Sequence, residues 1–237
     1  VDNLFWSRLA WDNACYLLTL LLWVIGSFVL LVVPGLGAIA FNAYARSRGE
    51  AVSLRPYISR FIPYYIYARL VDMANAIGLS SCIMITLYRG GYADLEASWL
   101  EIGESTGLLL LVFFALRLLR ALSFRIWSYT FMNEEASESL LQDYLVIDWL
   151  RALSLLPLSL MLLSPLDLSI SLYTATTLLV LSLLLSIVQT LRRLGGEADA
   201  QVYLFLYLCA HELLPLLYIL TAGAYIVTNK IFLNIFI

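Results

Sequence analysis

Six stretches of this 237-residue chain are almost uninterruptedly apolar for about the length of a bilayer crossing. They cover residues 15–33, 70–88, 106–121, 144–163, 168–191 and 202–221. A hydrocarbon core about 30 Å thick asks for ~20 mostly apolar residues in a helix. Backbone amides find no water in that layer, so a helix, which satisfies them internally, is the spanning form. A barrel strand would alternate apolar and polar positions, and these stretches do not. The pattern predicts an all-α, polytopic membrane protein, one transmembrane domain over 1–237 with about six transmembrane helices. The first stretch exceeds the ~7–15-residue core of a secretory signal and lacks a basic lead-in. It runs into Pro34-Gly35-Leu36-Gly37, and we read it as a retained span.

The segments between the spans carry their own pattern. Arg55-Pro56 can open a helix, because proline suits the first turn. Tyr57, Phe61, Tyr64 and Tyr65 follow at three- and four-residue steps, with Arg60 among them. Such spacing predicts an interfacial amphipathic segment over 55–69, either a plain anchor or a docking surface for headgroups or partners. Asn133-Glu134-Glu135 offers a cap and first-turn acids for a second helix start. That helix is expected to run through Asp143 into the fourth span until Pro157 bends it. Residues 90–103, with Asp94, Glu96 and Glu101, read as an acidic loop, and Gly195-Gly196 as a turn.

Composition agrees with the pattern and removes several function classes. The chain is 62% hydrophobic and 13% charged, where a soluble domain is roughly 45–50% apolar and about 25% charged. A net charge of −3 leaves no global basic field for nucleic acid. The cations are thirteen arginines and one lysine, and their placement is lopsided. Arg46, Arg48, Arg55, Arg60, Arg69, Arg120, Arg125, Arg192 and Arg193 fall on one side, and Arg8, Arg89 and Lys230 on the other. The positive-inside rule puts the first group in the cytoplasm and both termini outside. Cys15, Cys82 and Cys209 are scattered through apolar runs, so they read as small buried hydrophobes.

Ionisable groups within spans are costly and mark the candidate site. The sixth span holds Tyr203, Tyr207, His211 and Pro215 at four-residue steps, with Glu212 adjacent. Glu212 lies ten residues into that span, about 15 Å, and Arg117 lies at similar depth in the third. A Glu212–Arg117 pair follows as an expectation, with Arg120 one turn away. It is either a structural pair that fixes helix register or a proton- or ion-coupled site. Asp148 and Arg151 are i, i+3 neighbours in the fourth span and can neutralise each other. Asp72 and Asn75 in the second span can join the same polar group. His211-Glu212-Leu213-Leu214-Pro215 is not a zinc-hydrolase motif, because its fifth position is proline and the chain has no second histidine. No nucleophile–base pair or phosphate loop is legible, so no catalytic residue, metal or cofactor is assigned.

The stretch 203–217, after Leu191-Arg192-Arg193, resembles the C-terminal signature of an integral membrane family of Bacteroidota, a domain of unknown function. That signature reads roughly Y-L-C-x-L-E-I-L-P-L, and Tyr207, Leu208, Cys209, Glu212, Leu214 and Pro215 correspond to it. His211 departs from it, which argues against a family-wide role for that residue. Tyr144–Pro157 is similar to the family's F-N-R-x-L-G-L-x-L-L-P helix, with Asp148 and Ala152 departing. The resemblance implies a multi-pass protein of the bacterial inner membrane and no particular activity.

Short loops leave no soluble domain for catalysis. The expected role is therefore a non-enzymatic component, scaffold or assembly partner of an envelope complex. Its partners are the lipid bilayer and other membrane proteins or further copies of itself. A small transporter or ion-coupled protein using Glu212 with Arg117 or Arg120 is the alternative. An intramembrane enzyme acting on lipid is the third.

Overall fold

The computed structural model describes residues 2–32, 55–91, 98–131 and 134–194. Six helices follow in chain order: α1 (Asp2–Val32), α2 (Arg55–Ile58), α3 (Tyr64–Arg89), α4 (Trp99–Phe131), α5 (Glu134–Leu163) and α6 (Leu168–Leu194). No strand occurs among the described residues. All but the single turn α2 are long and apolar enough to cross a membrane. The molecule is a helical membrane protein. The sixth expected span, 202–221, lies outside the described residues.

Local chemistry sets where these helices begin. Ser98 and Glu101 form a capping box: the Ser98 N–H donates to the Glu101 carboxylate, and the Glu101 N–H donates to Ser98 Oγ at 3.4 Å. As a result α4 starts at Trp99, about two turns before the apolar run, and the last part of the expected 90–103 loop is helical. α5 is one helix from Glu134 through Asp143 and Pro157 to Leu163.

The segment over 55–69 differs from the expected single interfacial helix. α2 stops at Ile58, the chain turns through 59–62, and Pro63 at φ −52° opens α3. Proline has no N–H to continue a helix behind it, but its carbonyl accepts from Ile66 and Tyr67 at 2.9 and 3.1 Å. Tyr64, Tyr65 and Arg69 therefore belong to the spanning helix α3. Ile58 points inward and is fully buried beside Val29, Tyr67, Val71 and Trp149. Tyr57, Phe61 and Tyr65 stay exposed, with Arg60 5.9 Å from the Tyr57 ring centre. An Arg55–Glu138 ion pair at 2.7 Å ties the turn to the start of α5.

α1, α3 and α5 form the centre of the bundle. Lipid tails are as apolar as leucine, so helices in a bilayer associate through close contact and polar ties. Small residues supply the closeness. Gly26 lets α1 approach Leu156 of α5, and Gly78 of α3 sits against Leu155 and Leu22. The Thr19 and Ser81 hydroxyls meet at 3.3 Å, and Tyr67 Oη donates to the Val29 carbonyl at 3.1 Å. At the far end Trp11 stacks on Tyr88, and Arg89 donates to the Leu162 and Leu166 carbonyls, both at 2.7 Å. The Leu162 carbonyl belongs to the last turn of α5, where a helix lacks internal donors, and Leu166 to the bend that leads into α6. α4 and α6 flank this centre: 6% of the most apolar stretch of α4 is buried, against 61% in α3.

Candidate functional site

Three helices each bring a pair of polar residues to one place. The pairs are Asp72 and Asn75 on α3, Arg117 and Arg120 on α4, and Asp148 and Arg151 on α5. Each pair has i, i+3 spacing, which puts both side chains on one helix face. Where the three faces meet, α4 contributes cations, α3 an anion and an amide, and α5 one charge of each sign.

Arg117 is the centre of the cluster. Its Nε donates to Asp72 Oδ1 at 2.9 Å, and its Nη2 donates to the same oxygen and to Asp148 Oδ2. Asp148 receives Arg151 through its other oxygen. Arg151 Nε in turn donates to Asn75 Oδ1 at 3.0 Å. The Asn75 amide donates to the Val71 carbonyl at 2.9 Å and across to the Asp148 carbonyl at 2.8 Å. One asparagine thus links α3 to the backbone of α5 and orients the Arg151 fork as well. At the margin Arg69 lies 3.6 Å from Asp72, and the Arg120 guanidinium carbon is 5.0 Å from the Tyr144 ring centre. The latter is within cation–π range.

The electrostatics follow from this count. Two carboxylates face two guanidiniums whose side chains are 12–21% exposed, so the interior of the cluster is neutral. Burying charge costs several kcal/mol per ion unless opposite charge and hydrogen bonds are in place, and here they are. A guanidinium donates hydrogen bonds but does not release its proton at physiological pH. The groups fit each other closely, and the arrangement holds three helices in register. Among the described residues no group of three His, Cys, Asp or Glu is placed to hold a metal ion.

Of the residues singled out in the sequence, Asp72, Arg117, Asp148 and Arg151 are brought together, and Arg120 stands beside them on Tyr144. Tyr207, His211 and Glu212 lie outside the described residues, and so does any Glu212–Arg117 pair. Within the described residues Arg117 meets Asp72 and Asp148. Sequence reasoning missed Arg69 as a second partner of Asp72, although the i, i+3 spacing was legible. It also missed the Tyr144 ring beneath Arg120, which no spacing within one helix reveals.

Residues 16–222 match the family described as a domain of unknown function, DUF4271. The chain belongs to that family. The DUF4271 match takes in every residue of the ionic cluster and extends over the sixth apolar run. No curated protein and no solved structure matches the chain. DUF4271 carries no activity in its description, so a function for this member is argued from the site.

Proposed function

We propose that this protein is a non-enzymatic component of the bacterial inner membrane, a scaffold or assembly partner of an envelope complex in Bacteroidota. The observation that carries the reading is the mutual engagement of the buried charges. Asp72, Asp148, Arg117, Arg151 and Asn75 bond to one another across three helices. A general acid or base has to turn its proton or lone pair toward a substrate. These groups are turned toward each other, as suits a register lock. Around that lock, α4 and α6 present long apolar faces to lipid or to neighbouring membrane helices.

Two measurements test this reading. Extraction in a mild detergent should bring down a stoichiometric protein partner, identified by mass spectrometry after crosslinking in cells. A solitary monomer recovered under the same conditions overturns it. The topology proposed with it puts both termini in the periplasm. A cysteine introduced at Gly91 should then react with an impermeant maleimide added to whole cells, and one at Arg193 only after permeabilisation. The opposite pattern reverses the orientation.

One observation favours a second reading, an ion-coupled transporter. The side chains of Asp72 and Arg117 remain 20% and 21% exposed, so one edge of the cluster is left uncovered. Intramembrane charges with water access mark ion pathways in other proteins. On that reading Asp72→Asn abolishes a proton-driven flux in proteoliposomes while leaving the fold intact. On the scaffold reading the purified protein supports no such flux.

A further inference from the structure

We infer that the turn between α2 and α3 binds the headgroup of an acidic phospholipid through Arg60 and Arg69. The inference rests on the membrane fold and is independent of the assembly role proposed above. Depth is the first observation. The 26 residues of α3 span about 39 Å, against a hydrocarbon core about 30 Å thick. The excess leaves the ends of α3, and the turn that precedes it, in the headgroup layer. The turn is also fixed to the bundle. Ile58 is fully buried in the core, and the Phe61 and Ile62 N–H groups donate to its carbonyl at 3.0 and 3.1 Å.

Charge is the second. Residues 55–71 contain Arg55, Arg60 and Arg69 and no acid. Arg55 is matched by Glu138, which α5 brings to the turn. The Arg60 guanidinium lies 5.9 Å from the Tyr57 ring centre, a contact that leaves its positive charge uncancelled. Arg69 lies 3.6 Å from Asp72, but Asp72 already balances Arg117, and the Arg69 side chain is 70% exposed. Arg60 and Arg69 thus remain in excess over the carboxylates they meet. Each carries the planar donor fork that matches a phosphate.

Exposed aromatics are the third, and they choose the occupant. Tyr57, Phe61 and Tyr65 are 40%, 59% and 70% exposed. Tyr65 shares the outer face of α3 with Arg69, four residues on. Such rings anchor a protein at the bilayer surface, where one end of the side chain is apolar and the other wet. A free phosphate would engage the arginines and leave the rings without a role. An anionic lipid engages both, and the surrounding bilayer supplies it.

Native mass spectrometry of the full-length protein in a non-ionic detergent tests this. Dioctanoyl phosphatidylglycerol is compared with dioctanoyl phosphatidylcholine, which carries the same phosphate but no net charge. The parent should bind the glycerol lipid about fivefold more tightly or better. Arg60→Gln and Arg69→Gln should each weaken that binding about fivefold, and the double variant should no longer distinguish the two lipids. Ser59→Glu sets a carboxylate at an exposed position beside Arg60, and it should weaken binding similarly with every arginine in place. Equal binding of both lipids by the parent overturns the inference, as does unchanged selectivity in the double variant or in Ser59→Glu. Displacement of the glycerol lipid by inorganic phosphate at equal concentration would make a free anion the occupant and overturn it too. So would a protein partner that the parent retains in mild detergent and the double variant loses.

Discussion

Asp148→Ala should destabilise the purified protein by about 3–5 kcal/mol, more than any other single change in the ionic cluster. Its carboxylate, 12% exposed, receives Arg117 from α4 and Arg151 from its own helix, both largely covered, whereas the same-helix partner of Asp72, Arg69, is 70% exposed. Without it Arg151 loses a carboxylate and retains the Asn75 carbonyl, a neutral acceptor, for a charge whose side chain is 19% exposed. Arg117→Ala should do less. Asp72 then retains Arg69, and Asp148 retains Arg151, each three residues away on the same helix. The loss is limited to the tie that holds α4 to α3 and α5. Denaturation of both variants in mild detergent, followed by loss of tryptophan fluorescence, checks the order. An Arg117→Ala loss equal to that of Asp148→Ala would remove the asymmetry on which this account rests.

Gly78→Val should destabilise the apolar core by about 1–3 kcal/mol through overpacking. An added Cβ would lie 2.8 Å from Leu155 Cδ1, 3.0 Å from Leu155 Cβ and 3.2 Å from Leu22 Cδ1. The Leu155 Cβ is fixed to the α5 backbone, so relief requires moving a helix rather than turning a side chain. Gly26 provides the internal comparison. The atoms nearest a Cβ there are Leu156 Cδ2 at 2.8 Å, Cδ1 at 3.2 Å and Cγ at 3.4 Å. Those atoms can rotate away, and alanine gains ~1 kcal/mol of helix propensity over glycine. Gly26→Ala is therefore expected near parental stability and Gly78→Val well below it. The same denaturation series decides it, and equal losses at the two sites would refute the difference in rigidity.

Much of this architecture is legible in the chain, and the reasons differ by feature. Helix type follows from apolar runs whose only backbone solution in lipid is internal hydrogen bonding. The reach of α5 back to Glu134 agrees with the helix start expected at Asn133-Glu134-Glu135, and Asp148–Arg151 follows from helical spacing. Helix ends were harder. The Ser98–Glu101 box extends α4 beyond its apolar run, and the aromatic rhythm over 55–69 conceals the break at Pro63. In both places a local hydrogen-bonding rule overrides the hydropathy pattern.

The cost of charge in an apolar run marked Asp72, Arg117, Arg120, Asp148, Arg151, His211 and Glu212 as candidates, and depth matched Arg117 with Glu212. It did not identify who meets whom. A one-dimensional count gives each arginine a level in the bilayer but no direction around its helix. The packing of α3, α4 and α5 supplies that direction, giving Arg117 two carboxylates, Arg151 the Asn75 carbonyl and Arg120 the Tyr144 ring. Solvent cost alone thus settles that these charges must be paired. The azimuth of each helix settles the partners, and between α3 and α5 the contact of Gly78 with Leu155 helps to fix it.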